Sequence, residues 1–194
     1  MVSDEDNELM CRVGKGTPMG EAMRRFWVPA LLSSEVSEPD GDPVHVELLG
    51  QSLVAFRDSN GKVGLLDEHC CHRGASLTIG RVENCGIRCI YHGWLFGADG
   101  TVLETPNVND PKFKERFKAK SYPVHESGGF IWAYLGDPAK IPDVPDFPWM
   151  GSPDHMRMNT VQINACNYVQ LIEGLLDSSH LGVLHVSALQ SYSD

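Results

Sequence analysis

Two short stretches of the sequence, DEHCCHRGASL (67–77) and CIYHGW (89–94), each place a cysteine close to a histidine. The four residues are Cys70, His72, Cys89 and His92. One residue separates the first pair, two separate the second, and sixteen residues lie between His72 and Cys89. Because thiolates and imidazoles are common protein ligands of zinc and iron, the pattern predicts a metal site held by two loops.

The distribution of ligands between the loops distinguishes two kinds of metal site. A structural zinc site usually takes two cysteines from one knuckle and two histidines from another. One ligand of each kind in each loop suits a binuclear 2Fe–2S cluster, in which one iron takes both thiolates and the other takes both imidazoles. Neutral imidazoles remove negative charge and make such a cluster easier to reduce. We therefore predict a 2Fe–2S cluster; a zinc-stabilised structural module is the alternative.

Four further cysteines lie outside this pattern: Cys11, Cys71, Cys85 and Cys166. Cys71 fills the position between the first two ligands, and His69 lies just before them. In a chain without a secretion signal, clustered cysteines indicate metal binding more than disulfides. A free cysteine is more often a small buried hydrophobic residue than a ligand, so we expect these four to be buried and not to bind metal.

The composition disfavours several classes of partner. With 16 basic and 26 acidic side chains the net charge is −10, whereas phosphate binding needs a basic face. The N-terminus lacks the layout of a signal peptide, and no stretch approaches the roughly 20 apolar residues of a membrane span. We expect a cytoplasmic protein without nucleic-acid or membrane partners. The basic segment 111–120 is expected to be a solvated face with Phe113 and Phe117 turned inward; a docking patch for an acidic partner is the alternative.

Local patterns divide the chain into three segments. Residues 1–43 are predicted to be an N-terminal helical segment, with Thr17-Pro18 opening a short helix through GEAMRRFW (20–27). Residues 44–150 read as an all-β domain, because short apolar runs alternate with the turn signals Asn60-Gly61, Asp99-Gly100 and Gly128-Gly129.

The third segment, 151–194, follows a proline-rich connector. In it, RMNTVQIN (157–164) is predicted to be a strand and 167–190 a single helix. This helix carries Asp177, His180 and His185, a carboxylate and two imidazoles of the kind that form the facial triad of non-heme iron(II) oxygenases. On an ideal helix the two histidines lie about 140° apart. A shared metal would therefore need a local distortion, for which Gly182 is a plausible place.

The motifs CCHRGASL and CIYHGW resemble the Rieske domain of the Rieske non-heme iron aromatic-ring oxygenases. The opening PMGEAMRRFWVPALLSSEV (18–36) is similar to the start of the phthalate dioxygenase-type oxygenase components, and the resemblance covers essentially all 194 residues. Respiratory-chain Rieske proteins carry an extra cysteine in each loop, where this chain has Ala75 and Tyr91, so that branch is disfavoured. Gly93 and Trp94 match the YHGW signature, whose residues shape the loop and cover the cluster in the family.

The resemblance assigns roles in the second motif. It implies that His180 and His185 bind mononuclear Fe(II). It also implies that Asp177 is not the main carboxylate ligand but an electron bridge to the Rieske histidine, His92, of a neighbouring subunit. The family's carboxylate ligand comes much later, and this sequence has no candidate for it. We therefore expect a truncated oxygenase.

The fold implied is a Rieske-type all-β domain followed by the start of an α+β helix-grip catalytic domain. The implied function is that of an oxygenase component, which uses O2 and electrons from NAD(P)H, delivered by a separate reductase, to hydroxylate or O-demethylate an aromatic, carboxylated substrate. A homotrimer or larger ring oligomer is implied as well. The alternative is a Rieske-type 2Fe–2S electron carrier without oxygenase activity; the 177–185 motif favours the oxygenase.

Overall fold

The computed structural model describes residues 2–187. The chain forms two compact units: one comprises the residues up to Arg12 and those from Gln162 onward, and the other is Val13–Val161. The sequence-based boundaries, 43/44 and 150/151, differ from this division. Residues 157–164, predicted to be a strand, form none in the structure, because they pair with no strand in the described part of the chain.

The Val13–Val161 unit contains ten strands within the described residues. They are β1 (Trp27–Leu32), β2 (Val44–Leu48), β3 (Gln51–Arg57), β4 (Val63–Asp67), β5 (Arg81–Glu83), β6 (Gly86–Arg88), β7 (Leu95–Gly97), β8 (Val102–Glu104), β9 (Val124–Ser127) and β10 (Phe130–Tyr134). They form three antiparallel sheets in the orders β1-β10-β9, β2-β3-β4 and β5-β6-β7-β8. The three predicted turns connect β3 to β4, β7 to β8 and β9 to β10.

Four α-helices lie in the described residues. They are α1 (Asp4–Cys11), α2 (Pro18–Met23), α3 (Tyr168–Leu176) and α4 (Leu181–Leu184). Thr17 caps α2 through its hydroxyl, as its sequence predicts, because the oxygen accepts the Gly20 N–H. The helix is shorter than predicted. The helix ends at Met23, and from Trp27 the chain forms β1, which pairs with β10.

The prediction of a single helix over 167–190 is wrong, since α3 ends at Leu176; residues 188–190 of that prediction lie outside the described part of the chain. Asp177 caps this end, and its side-chain Oδ1 accepts the backbone N–H of Ser179 at 2.8 Å. Such a local side-chain bond offers the backbone an alternative to the helical ladder. The helix is interrupted before His180 and ends again at His185, whereas Gly182 lies inside α4.

Two hydrophobic cores support the β unit. One lies between the sheet β2-β3-β4 and the sheet β1-β10-β9 and includes Leu53, Leu65 and Ile131. The other joins β3 and β4 to the four-stranded sheet through Phe56, Phe96 and Ile87. Cys70 and Cys89 belong to this second core. Each predicted metal loop therefore has its cysteine packed into a hydrophobic core.

Candidate metal centres

The two predicted cluster loops have the same backbone geometry. In the first, the Cys70 N–H donates to the Ala75 carbonyl and the Gly74 N–H donates to the Cys70 carbonyl, both at 2.8 Å. In the second, Cys89 donates to Trp94 and Gly93 donates to Cys89, both at 2.9 Å. Each cysteine thus opens a loop that closes four and five residues later.

A glycine stands at the same place in both loops. Gly74 has φ of +69° and Gly93 has φ of +75°, a left-handed conformation that residues with a Cβ rarely adopt. The family signature YHGW included Gly93 but not Gly74, although both glycines stand four positions after a predicted ligand cysteine. These glycines let each loop turn back over its own cysteine.

The two thiols lie inside and the two imidazoles lie further out. Cys70 and Cys89 are only 3% and 2% exposed, whereas His72 is exposed and His92 is half-buried. The imidazole ring centroids are 4.6 Å apart at 64°. The structure therefore pairs the two predicted thiols, which are buried, and separately pairs the two predicted imidazoles, which lie closer to solvent.

Burial disfavours ionisation of the Cys70 thiol and raises its pKa. Desolvation, followed by the neighbouring Cys89 thiol, raises the pKa of Cys70 to about 11, against a counteracting hydrogen bond from the His72 backbone. At neutral pH this thiol is protonated, and metal binding would release its proton. On the imidazole side, desolvation and then the neighbouring His92 lower the pKa of His72. A lowered pKa favours the neutral imidazole, which is the form that binds a metal.

The chemistry of the donor set fits a binuclear cluster. A mixed-ligand 2Fe–2S cluster takes two thiolates on one iron and two imidazoles on the other. The buried Cys70 and Cys89 thiols and the neighbouring His72 and His92 rings supply these two pairs. The residues present therefore fit the 2Fe–2S group.

Trp94 supports this centre from within the core. It is 2% exposed, and its ring stacks on that of His72 with centroids 4.6 Å apart and planes 4° apart. Phe113 and Phe117 contact the indole edge-on at 5.9 and 5.3 Å. Phe113 is half-buried, as predicted, but Phe117 is 38% exposed. The basic segment 111–120 thus backs the tryptophan that orients His72.

The remaining cysteines differ from the prediction. Cys71, Cys85 and Cys166 are exposed and Cys11 is half-buried, so the expectation of buried hydrophobic cysteines is wrong for the first three. Cys71 is exposed although the preceding residue, Cys70, is buried. Cys85 lies in the tight turn between β5 and β6 with φ of +62°, where two-residue hairpin turns project their side chains to solvent.

The second candidate centre lies in the unit that contains α3 and α4. His180 precedes α4 and His185 follows it, and their ring centroids are 5.3 Å apart at 69°. A four-residue helix between them brings the rings close, although a continuous helix would have turned them away. The structure therefore places both predicted imidazoles side by side.

Asp177 lies beside this pair. Its Oδ2 is 3.4 Å from His180 Nδ1, and its Oδ1 accepts the N–H and the hydroxyl of Ser179 at 2.8 and 2.5 Å. These Ser179 bonds, and then the neighbouring His180, lower the pKa of Asp177. The carboxylate is therefore ionised at neutral pH and oriented toward the His180 imidazole.

The chain is similar to a known family model and to several known proteins. Residues 26–123 match the family model described as Rieske [2Fe-2S] domain. The chain is 45% identical to the phthalate 4,5-dioxygenase oxygenase subunit of Pseudomonas putida, over 96% of this chain and 43% of that protein. It is 39% identical to the 5,5'-dehydrodivanillate O-demethylase oxygenase subunit of Sphingobium sp. (strain NBRC 103272 / SYK-6), over 96% of this chain and 44% of that protein.

A solved structure is similar as well. A crystal structure of dicamba monooxygenase with non-heme iron and dicamba is 31% identical, with a TM-score of 0.60 over 67% of this chain and 39% of that one. The chain spans less than half the length of the relatives it matches. In residues 2–187 no helix has the length and apolar character needed to cross a membrane.

Proposed function

Because the chain belongs to the Rieske [2Fe-2S] domain family, we propose that it forms the cluster-bearing part of an oxygenase component of the Rieske non-heme iron type. When bound, the cluster supplies one-electron transfer. Cys70 and Cys89 would hold one iron through their buried thiolates, and His72 and His92 would hold the other. The whole protein would use O2 to hydroxylate or O-demethylate an aromatic, carboxylated substrate.

The observation that carries this proposal over a simple electron carrier is the second imidazole pair. The rings of His180 and His185, 5.3 Å apart, offer two of the three ligands of a facial triad for Fe(II). An electron carrier has no use for a second metal centre. The relatives named as a dioxygenase and an O-demethylase subunit support the same class of function.

Asp177 would act as a bridge between centres rather than as a metal ligand. Its Oδ1 already accepts two bonds from Ser179, and an ionised carboxylate has about four acceptor sites. Oδ2 therefore has room for the His180 N–H and for one further donor, which we assign to His92 of an adjacent subunit in a ring oligomer. This bridge would join the Rieske imidazole to the iron-binding imidazole.

The protein would receive its electrons from NAD(P)H through a separate reductase component.

The proposed oxygenase function is tested by turnover of the whole protein with a reductase, NAD(P)H and a panel of aromatic carboxylates under ¹⁸O2. Incorporation of ¹⁸O into the product, or formaldehyde release from a methoxy substrate, is the expected result. The matched variant His185→Ala should keep the Rieske spectrum and form no product. The alternative function, a simple electron carrier, would be favoured if NAD(P)H reduced the cluster but no substrate of the panel gave an oxygenated product while Fe(II) was bound.

A further inference from the structure

Arg88 is the last residue of β6 and directly precedes the ligand position Cys89. Its side chain is 11% exposed and makes three polar contacts. Nη1 donates to the Gly93 carbonyl at 2.7 Å, Nη2 donates to Glu104 Oε2 at 2.8 Å, and Nε pairs with Glu83. The guanidinium thus lies between two carboxylates and the backbone of the second cluster loop.

The second loop has side-chain contacts to its backbone carbonyls that the first loop lacks in the described residues. Besides the Arg88 contact, the Asn107 side chain donates to the His92 carbonyl at 3.2 Å. In the first loop the residue before the cysteine is the exposed His69, and no side chain of residues 2–187 is seen to donate to the Gly74 carbonyl. The two loops share their backbone bonds but differ in these side-chain anchors.

The Arg88 contact with Gly93 constrains the loop one residue beyond His92. A peptide unit is planar, so holding the Gly93 carbonyl holds the Gly93–Trp94 peptide, while the Asn107 contact holds the His92–Gly93 peptide. Arginine is suited to this task because its donors have a fixed fork geometry, whereas lysine is a flexible point charge. Glu83 on β5 and Glu104 on β8 hold the fork from two strands of the sheet.

We infer that Arg88 is a positioning residue for the imidazole-bearing iron site: by clamping the Gly93 carbonyl it sets the position of His92 and so the properties of the cluster. This inference rests on the proposed ligand set. Groups that orient a ligand are commonly worth about 10- to 100-fold in metal affinity. The clamp should therefore be visible in cluster retention and in the spectrum.

The test uses the purified, cluster-loaded chain and compares Arg88→Met, Arg88→Lys and the control Arg81→Met. Arg81 lies opposite Arg88 in the β5–β6 pair and 3.6 Å from the same Glu83, but it is 68% exposed and contacts Glu83 rather than the loop. Three quantities are measured: the rate of iron release to a chelator, the reduction potential, and the electron paramagnetic resonance spectrum of the reduced protein.

Both Arg88 variants should release iron about tenfold faster or more and show altered spectra and potentials, whereas Arg81→Met should match the wild type. Arg88→Lys separates position from charge, because it keeps the charge and loses the fork. Wild-type spectrum, potential and iron release in folded Arg88→Lys would overturn the inference, even if thermal stability fell.

If neither Arg88 variant folds, Glu104→Gln provides the test of the Arg88 contact. This variant weakens one ion pair of the guanidinium and changes no residue of the loop. A measurable rise in iron release supports the clamp, and wild-type behaviour overturns it. A wild-type chain that assembles no 2Fe–2S cluster would instead refute the proposed ligand set.

Discussion

Replacing Trp94 by alanine should destabilise the β unit and loosen the cluster at the same time. The indole is 2% exposed and contacts His72, Phe113 and Phe117. A buried aromatic side chain of this size covers about 150–250 Å², or about 4–6 kcal/mol at 25 cal/mol per Å². Measured Trp→Ala changes in cores cost about 3–5 kcal/mol. We expect a loss of about 4 kcal/mol in the free energy of unfolding.

The assay is thermal unfolding followed by far-ultraviolet circular dichroism. For a chain of this size, 1 kcal/mol shifts the midpoint by about 2–4 °C, so Trp94→Ala should lower it by about 8–16 °C. The matched control is Trp149→Ala, which removes an indole that is 40% exposed and contacts Phe130 and Phe147. The control should lower the midpoint by less than half as much and should not change iron release.

Trp94→Phe separates the two roles of the ring. A phenyl ring keeps an aromatic face toward His72 but fills less of the core, so iron release should stay near the wild-type rate while stability falls by about 1–3 kcal/mol. The proposed role of Trp94 would be wrong if Trp94→Ala were no less stable than Trp149→Ala and released iron at the wild-type rate.

Four further outcomes follow from the contacts. Cys71→Ser should leave the cluster spectrum intact because its side chain is exposed, whereas Cys70→Ser should abolish it; the measurement is visible absorption with iron and sulfide analysis. His180→Ala in the whole protein should remove the mononuclear iron but keep the Rieske spectrum, and iron analysis showing full occupancy would contradict the assignment. Asp177→Asn should keep both centres and the oligomer but slow Rieske reoxidation in single turnover; a wild-type rate would refute the bridge. Arg57 donates to both Glu126 oxygens at 2.9 and 3.0 Å, and this contact lowers the pKa of Glu126. The ion pair therefore stabilises the folded protein above the pKa of Glu126 in the unfolded chain, about 4.3. This stabilisation is lost as the pH falls through the lowered pKa of the folded protein. The urea midpoints of the wild type and Glu126→Gln should therefore converge in acid.

The ligand loops were predictable because their chemistry is local. Spacing places Cys70 and His72 in one loop and Cys89 and His92 in another, and a glycine four residues after each cysteine closes the loop. The hairpin turns at Asn60-Gly61 and Asp99-Gly100 were equally local. Each of these features depends on a few neighbouring residues and is therefore visible in the sequence.

Features that depend on distant residues were not predictable. Residues 27–32 form a strand because β10, about a hundred residues later, pairs with them. Arg88 contacts Gly93, Glu83 and Glu104 through the sheet, and nothing in its own neighbourhood in the sequence marks it. The break before His180 had a local signal, Asp177 followed by two serines, which the helical pattern of apolar residues outweighed.

The proposed ligand set, Cys70, His72, Cys89 and His92, can be tested on the reduced chain labelled with ¹⁵N-histidine. The measurement is electron paramagnetic resonance combined with ¹⁵N electron–nuclear double resonance. We expect a 2Fe–2S signal typical of mixed thiolate and imidazole ligands and two histidine nitrogen couplings, one of which disappears in His72→Cys or His92→Cys. A spectrum without strong histidine nitrogen coupling, or anaerobically prepared protein that contains zinc and neither iron nor labile sulfide, would contradict the proposed ligand set.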